Sequence, residues 1–259
     1  MYNTLVIRIL FFGDQNYGEG VRQTLLADSR FLLVDSVEQK PDIGILASYG
    51  KILPQSVIAS LPHGILNIHP SLLPKYRGPS PVQTAILNGD KTTGVTIIKL
   101  DEKIDHGPIL VQQEEEIRPD DTAQTLYQRL FKKGTSSLLL DSILLYIGGK
   151  IKLREQDHEQ ATRTKMLTRD SGRIDWTKPP DYLERFVRAM APWPGSWTTI
   201  IEVGSGKWEV GKRSEKRETR ENVKRLKILK ACVEKGKFSP EIVQLEGKKP
   251  VPWKQFLPT

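Results

Sequence analysis

Cysteine is almost absent: Cys232 is the only one in 259 residues. No disulfide can close within the chain and no cysteine-built metal site can form, which suits a reducing compartment, so a cytoplasmic location is expected. His63, His158 and Cys232 have no partner at a meaningful spacing and read as structural; no metal is expected. Long apolar runs are missing too. No stretch reaches the roughly 18 residues that a membrane-spanning helix needs, so no membrane association is expected. Residues 1–12 are apolar but hold an Arg, lack a basic leader, and run into Gly13-Asp14, so they read as a strand rather than a signal peptide. No internal repeat is visible. Gly13-Asp-Gln-Asn-Tyr-Gly18 lacks the G-x-G-x-x-G spacing, and dinucleotide binding has no support there.

What is present is a core and an uneven charge. Hydrophobic residues make up 38% of the chain, enough for one large domain, or for a main domain with a smaller one. The net charge is +8, and residues 203–259 hold 15 Lys/Arg against 7 Asp/Glu, so the remainder is neutral. A basic appendage on a neutral body suits a polyanionic partner, because neutralised phosphates release counterions; a solvated face is the plainer alternative.

Apolar runs at Leu5–Phe12, Phe31–Val37, Ile43–Ala47, Gly64–His69, Gly94–Leu100 and Ile109–Gln113 predict strands. Helical patterns cover Gly18–Ala27, Pro81–Leu87 and a long stretch from Asp121 to Leu145. Strands alternating with helices imply an α/β domain with a mainly parallel, Rossmann-like sheet over residues 1–150. Residues 151–180 are polar and read as a linker that packs on the first domain. Residues 181–259 hold a short helix at Asp181–Met190 and a rigid Pro192-Trp-Pro-Gly195 turn. The β-like pieces at Trp197–Val203, Leu226–Val233 and Glu241–Leu245 then suit a small, OB-like β-barrel. The charged run Lys212–Lys227 reads as a mobile loop or a hairpin tip.

Asn67-Ile68-His69-Pro70 is the most informative spot. Alternation along a strand puts Asn67 and His69 on one face, and Pro70 puts them at the strand's C-terminal end, where open α/β sheets bind ligands. An amide can donate to a developing oxyanion and an imidazole can move a proton. Asp101 and Asp105 lie in the polar loop that follows the 94–100 strand, and either carboxylate could orient His69. In Ser71-Leu72-Leu73-Pro74-Lys75-Tyr76-Arg77-Gly78, two cations flank an aromatic on a stiff backbone. The segment reads either as a substrate-closing loop or as a plain connector.

Ala47-Ser-Tyr-Gly-Lys-Ile-Leu-Pro54, Gly64-Ile-Leu-Asn-Ile-His-Pro-Ser-Leu-Leu-Pro-Lys-Tyr-Arg-Gly78, Asn88-Gly-Asp90, Gly94-Val-Thr96 and Asp105-His-Gly-Pro-Ile109 together resemble the 10-formyltetrahydrofolate-dependent formyltransferase family. Gly172-Arg-Ile-Asp-Trp176, Pro192-Trp-Pro-Gly195 and the tail from Val243 to Leu257 resemble the methionyl-tRNA branch of that family. The resemblance implies that Asn67 holds the formyl oxygen, His69 relays the proton from the attacking amine, and Asp105 orients the imidazole and favours its protonated form. It implies a folate co-substrate held by Tyr49, Gly50, Lys51, Ile52, Leu53, Asp101 and His106. The substrate would be held by Ser71, Leu72, Leu73, Pro74, Lys75 and Arg77. The implied acceptor is the amino group of methionyl-tRNA, with the basic tail on the tRNA backbone and a monomeric chain. A sugar-nucleotide amine is the alternative acceptor, and an inactive RNA-binding accessory protein is the third reading. Against the family pattern, residues 30–41 are short where an acceptor-end loop is usual, His106 stands where Thr is usual, and the C-terminal barrel is shortened.

Overall fold

The computed structural model describes residues 6–15, 17–135, 137–204, 207–210 and 223–256. Two units divide it: Met1–Val82 with Lys91–Arg118 and Thr125–Lys165, and Gln83–Asp90 with Pro119–Gln124 and Met166–Thr259.

The first unit forms where short β-branched runs alternate with amphipathic ones. In chain order the elements are β1 (Ile7–Gly13), α1 (Tyr17–Leu26), β2 (Phe31–Val34), β3 (Ile43–Ala47), α2 (Gln55–Ala59) and β4 (Ile65–His69). After these come α3 (Pro81–Asn88), which from Gln83 onward groups with the second unit, then β5 (Thr92–Lys99), β6 (Ile109–Glu116), α4 (Ala123–Thr135) and α5 (Ser137–Ile147). The six strands lie in the order β2-β1-β3-β4-β5-β6. The pairs β1/β2, β1/β3 and β3/β4 are parallel, while β4/β5 and β5/β6 are antiparallel. The mainly parallel sheet expected from the alternation is present, with an antiparallel edge.

Period-two alternation sorts the side chains between two cores. Ile7, Ile9, Ile43, Ile45, Leu66, Ile68, Val95 and Ile97 pack with α1, α4 and α5 through Val21, Leu25, Phe131, Leu139 and Ile143. Leu10, Val34 and Ile65 face the other way, against Leu61 and the α2 residues Val57 and Ile58. Asn67 and His69 have the parity of Ile65 and therefore belong to the second face, while Ile68 is locked into the first. Both faces are covered, which is why the central strands read as continuous apolar runs.

Several boundaries differ from expectation, β6, β9 and β10 being longer, and two have a clear local cause. β2 stops at Val34, because the polar Asp35-Ser36 gives way to a single 3-10 turn at Val37–Gln39. The Asp121–Leu145 pattern is carried by two helices, α4 and α5; Ser136 between them lies outside the described residues. The polar stretch after α5 folds onto the first unit as far as Lys165, through the bridges Ile109–Arg154 and Arg77–Arg163.

In the second unit, α6 (Pro180–Met190) starts with Pro in its first turn and buries Leu183, Phe186, Val187 and Met190, the i, i+3, i+4, i+7 stripe of an amphipathic helix. The strands are β7 (Ser196–Gly204), β8 (Lys207–Val210), β9 (Val223–Glu234), β10 (Lys237–Leu245) and β11 (Val251–Pro252), followed by α7 (Trp253–Phe256). They form one antiparallel sheet in the order β11-β10-β9-β7-β8, with no pairing between the two outer strands among the described residues. Of the charged run expected as a loop or hairpin tip, residues 223–227 are strand β9, and 212–222 lie outside the described residues. No helix among the described residues is long and apolar enough to cross a membrane.

Candidate active site

β4 ends at His69, and the chain turns sharply after it. The turn is held by Thr96, which sits directly opposite His69 on β5. Its hydroxyl donates to the Ser71 carbonyl at 2.5 Å and accepts from Leu73 N–H at 3.2 Å. Gln112 on β6 donates to the Leu73 carbonyl at 2.7 Å and to Thr96 Oγ1 at 3.0 Å. Thr96 appeared in the sequence only as part of the Gly94-Val-Thr96 motif and without a role, and Gln112 not at all; a threonine inside an apolar strand was the available signal.

Asn67 and His69 are nearly buried, and Asp105 meets both. Its Oδ1 lies 3.3 Å from Asn67 Nδ2 and 3.6 Å from His69 Nδ1. Its Oδ2 accepts from Gly78 N–H at 2.7 Å. On the other side of the ring, His69 Nε2 donates to the Tyr76 carbonyl at 3.0 Å. Both ring nitrogens therefore face oxygen acceptors, so His69 can donate from both only when it carries two protons. Asn67 has a second N–H beyond the one turned to Asp105, available to an oxyanion.

The loop also separates the two candidate carboxylates. Asp105 has φ 49°, a left-handed conformation that Asp tolerates, and that fold in the backbone turns its side chain inward. Asp101 goes elsewhere, 2.5 Å from His106 Nδ1. His106 therefore does not compete for Asp105. Its ring stacks on His158 at 4.0 Å with 9° between planes. Gly107 follows because no side chain fits: a Cβ there would run into the Lys99 carbonyl oxygen. Gly107→Ala is expected to cost about 1–3 kcal/mol of stability and to displace Asp105. A melting curve alongside an activity assay checks both effects.

Arg77, expected at the substrate, is 3% exposed and committed to the fold. Its Nε and Nη2 donate to Gln156 Oε1 at 3.2 and 2.7 Å, and Nη2 lies 2.8 Å from His158 Nδ1. Arginine only donates, so His158 Nδ1 accepts. His158, read from the sequence as unpartnered, thus has two partners. Burial pushes the Arg77 guanidinium pKa down, and Arg163 adds to this; Asp105 and Asp101 oppose it. Gln156 then closes the circuit, donating from Nε2 to the carbonyls of Asp105 at 3.0 Å and Gly107 at 2.7 Å. The sequence carried no signal for Gln156, a lone amide in a polar stretch. Gln156→Ala would leave the buried guanidinium with the His158 ring and take this donor from two carbonyls, and is expected to cost about 1–3 kcal/mol. As a positioning residue it should lower kcat about tenfold with the acceptor KM unchanged, which steady-state kinetics would read.

The remaining expected positions fall around this centre. Ser71 is fully buried, its hydroxyl donating to the Lys75 carbonyl at 2.7 Å. Leu73 is buried, Leu72 and Pro74 are half-buried, and Lys75 is exposed. Tyr49–Leu53 leave the C-terminal end of β3, started by Ser48, whose hydroxyl donates to Asp14 Oδ2 at 2.7 Å. Tyr49 packs its ring 5.7 Å from Phe12, and Gly50 and Lys51 are exposed. Leu53 packs into the second core, while Ile52 is 86% exposed. In the loop that carries Asp105, Ile104 is 56% exposed. Among the described residues, no group of three or more His, Cys, Asp or Glu is arranged to hold a metal ion.

An amide and an imidazole from the end of β4 thus meet a carboxylate from the loop between β5 and β6, an arrangement able to serve acid–base and oxyanion chemistry. Residues 30–142 match the formyl transferase model and residues 166–259 the formyl transferase C-terminal domain model, and the chain belongs to that family. It is 52% identical over 159 residues to the methionyl-tRNA formyltransferase of Roseiflexus sp. (strain RS-1), covering 61% of this chain and 49% of the relative. It is 50% identical over 159 residues to that of Chloroflexus aggregans (strain MD-66 / DSM 9485), covering 61% and 51%. The chain spans about half the length of the curated relatives it matches. Among solved structures, methionyl-tRNA formyltransferase from Clostridium thermocellum superposes with a TM-score of 0.67 at 16% identity, covering 92% of this chain and 98% of that one. HypX from Aquifex aeolicus in complex with tetrahydrofolic acid gives 0.66 at 18% identity, covering 96% and 46%. At these identities the structural likeness speaks for the fold.

Proposed function

We propose that the chain transfers the formyl group of 10-formyltetrahydrofolate to the amino group of methionyl-tRNA, in the cytoplasm. The observation that carries this is the meeting of Asn67, His69 and Asp105 at the end of β4. In the reaction the acceptor's amine lone pair attacks the formyl carbon, and the carbonyl π electrons move to oxygen. Asn67 donates an N–H to that oxyanion. Collapse of the intermediate breaks the bond from carbon to N10, and the electron pair stays on N10. His69 takes the proton lost by the amine and delivers it to N10, while Asp105 holds the imidazole in place. The donor's planar ring would lie between the loops at 49–53 and 101–106, against Ile52 and Ile104.

The acceptor follows from charge and from kinship. The basic excess lies in residues 203–259, where a polyphosphate backbone is the natural partner, and the named relatives at half identity are methionyl-tRNA formyltransferases. A second reading, a sugar-nucleotide amine, is favoured by the direct passage from β2 through one turn into β3, which leaves no inserted loop for an acceptor end. Formyl transfer with charged initiator tRNA and with amino-sugar nucleotides, run side by side, decides between them. Transfer to the tRNA, weakening steeply as salt rises, is the expected result. Formylation of the sugar alone would overturn the tRNA reading, and no transfer to either would overturn both.

A further inference from the structure

A cavity of about 410 Å³ opens in the second unit, away from the residues used above. Arg169, Trp193, Trp197, Arg225, Lys227 and Gln244 are among its walls. The register explains the wall. Lys227 on β9 stands opposite Trp197 on β7 and Gln244 on β10, so the three share one sheet face. Their neighbours Leu226, Ile228 and Val243 face the other way and are buried. Alternation thus leaves Arg225 and Lys227 together on the cavity side.

The cavity's cations are held in place. Arg225 lies over the Trp197 ring, 4.0 Å from its centroid. Trp197 Nε1 donates to the Arg169 carbonyl at 3.0 Å, tying the turn that bears Arg169 to the sheet. Among the described residues no carboxylate pairs with Arg169, Arg225 or Lys227. Glu246 is the only acid on the wall, so the lining carries a positive surplus. Beside these charges the Pro192–Gly195 turn supplies Trp193, 52% exposed between two prolines. An indole left in water beside three cations that pair with no carboxylate among the described residues suits a ligand with a flat face and an anionic end. The cavity volume falls within the range of small-molecule sites.

We propose that this cavity binds a nucleotide unit, its base on Trp193 and its phosphate among Arg169, Arg225 and Lys227. A free nucleotide as occupant goes beyond the formyl-transfer reading, whereas RNA as occupant would rest on the tRNA acceptor proposed there. Free mononucleotides and single-stranded RNA offer the same chemistry. Calorimetry on the full chain at low salt, with adenosine 5′-monophosphate, adenosine and inorganic phosphate as probes, tests it. The nucleotide is expected to bind at least about tenfold more tightly than either fragment, because stacking and charge act together. Trp193→Ala should weaken the nucleotide about tenfold and leave phosphate unchanged. Lys227→Glu and Arg169→Glu should weaken both the nucleotide and phosphate. A short oligoribonucleotide identifies the source: the same loss in Trp193→Ala supports RNA as an occupant, and binding indifferent to Trp193 supports the free nucleotide. Circular dichroism confirms that each variant is folded; Trp193 and Lys227 are exposed, so their replacement should leave the fold intact. Nucleotide binding no tighter than phosphate, or unchanged in all three variants, would overturn the proposal.

Discussion

His69→Ala is expected to lower kcat for formyl transfer by at least about 100-fold, the usual contribution of a positioned acid–base group. The ring is 4% exposed and clamped between the Tyr76 carbonyl at 3.0 Å and Asp105 at 3.6 Å. A water entering the space of the imidazole would find the same two acceptors but could not carry the proton at neutral pH. Asn67→Ala should lose a similar factor for a different reason, since its N–H meets an oxyanion that exists only during the reaction. The two variants should therefore keep near-normal binding of the formyl donor while turnover falls. Single-turnover measurements with donor titration would separate these. Near-normal turnover in either variant would remove that residue from the mechanism.

Asp105→Ala should be more severe, with kcat falling about 1,000-fold or more, because it removes the orienting group of the imidazole. It also acts on the fold. Asp105 accepts from Gly78 N–H at 2.7 Å and from Asn67 at 3.3 Å, and deletion leaves both donors without their partner in a nearly closed space. A stability loss of about 1–3 kcal/mol is expected from the stranded donors. Asp105→Asn separates the two effects. Its amide oxygen can still accept from Gly78 but its NH2 then faces the Asn67 donor, so only part of the stability should return, while the rate stays low because the negative charge beside His69 is gone. Melting curves with kcat for both variants check this; an Asn variant with wild-type turnover would show that the charge is not needed.

The strand order of chemistry was legible early for a simple reason. Period-two alternation and a terminating proline are local, so Asn67 and His69 could be placed on one face at a strand end without knowing the fold. The same locality failed for the loop at 101–108. Asp101 and Asp105 are equivalent in sequence context, and only the left-handed backbone at Asp105 turns one toward His69 and leaves the other to His106. Arg77 shows where local reading stops. A cation in a Gly/Pro-rich loop reads as ligand-facing, yet Gln156 and His158, about 80 positions on, enclose it.

Composition and pattern by themselves determined the α/β class, the unequal charge, and the placing of amide and imidazole on one face of a strand, because each is read from the residues in their order alone. Tertiary structure supplied the geometry by which Asp105, assigned by the family resemblance but level with Asp101 in local context, reaches His69, and it showed that Gln156 supports that loop. It also decided that a lone tryptophan turn and two alternate β9 cations wall one cavity. Those relations join residues tens of positions apart, and their energy comes from burial and hydrogen-bond geometry that exist only after the sheet has closed around them.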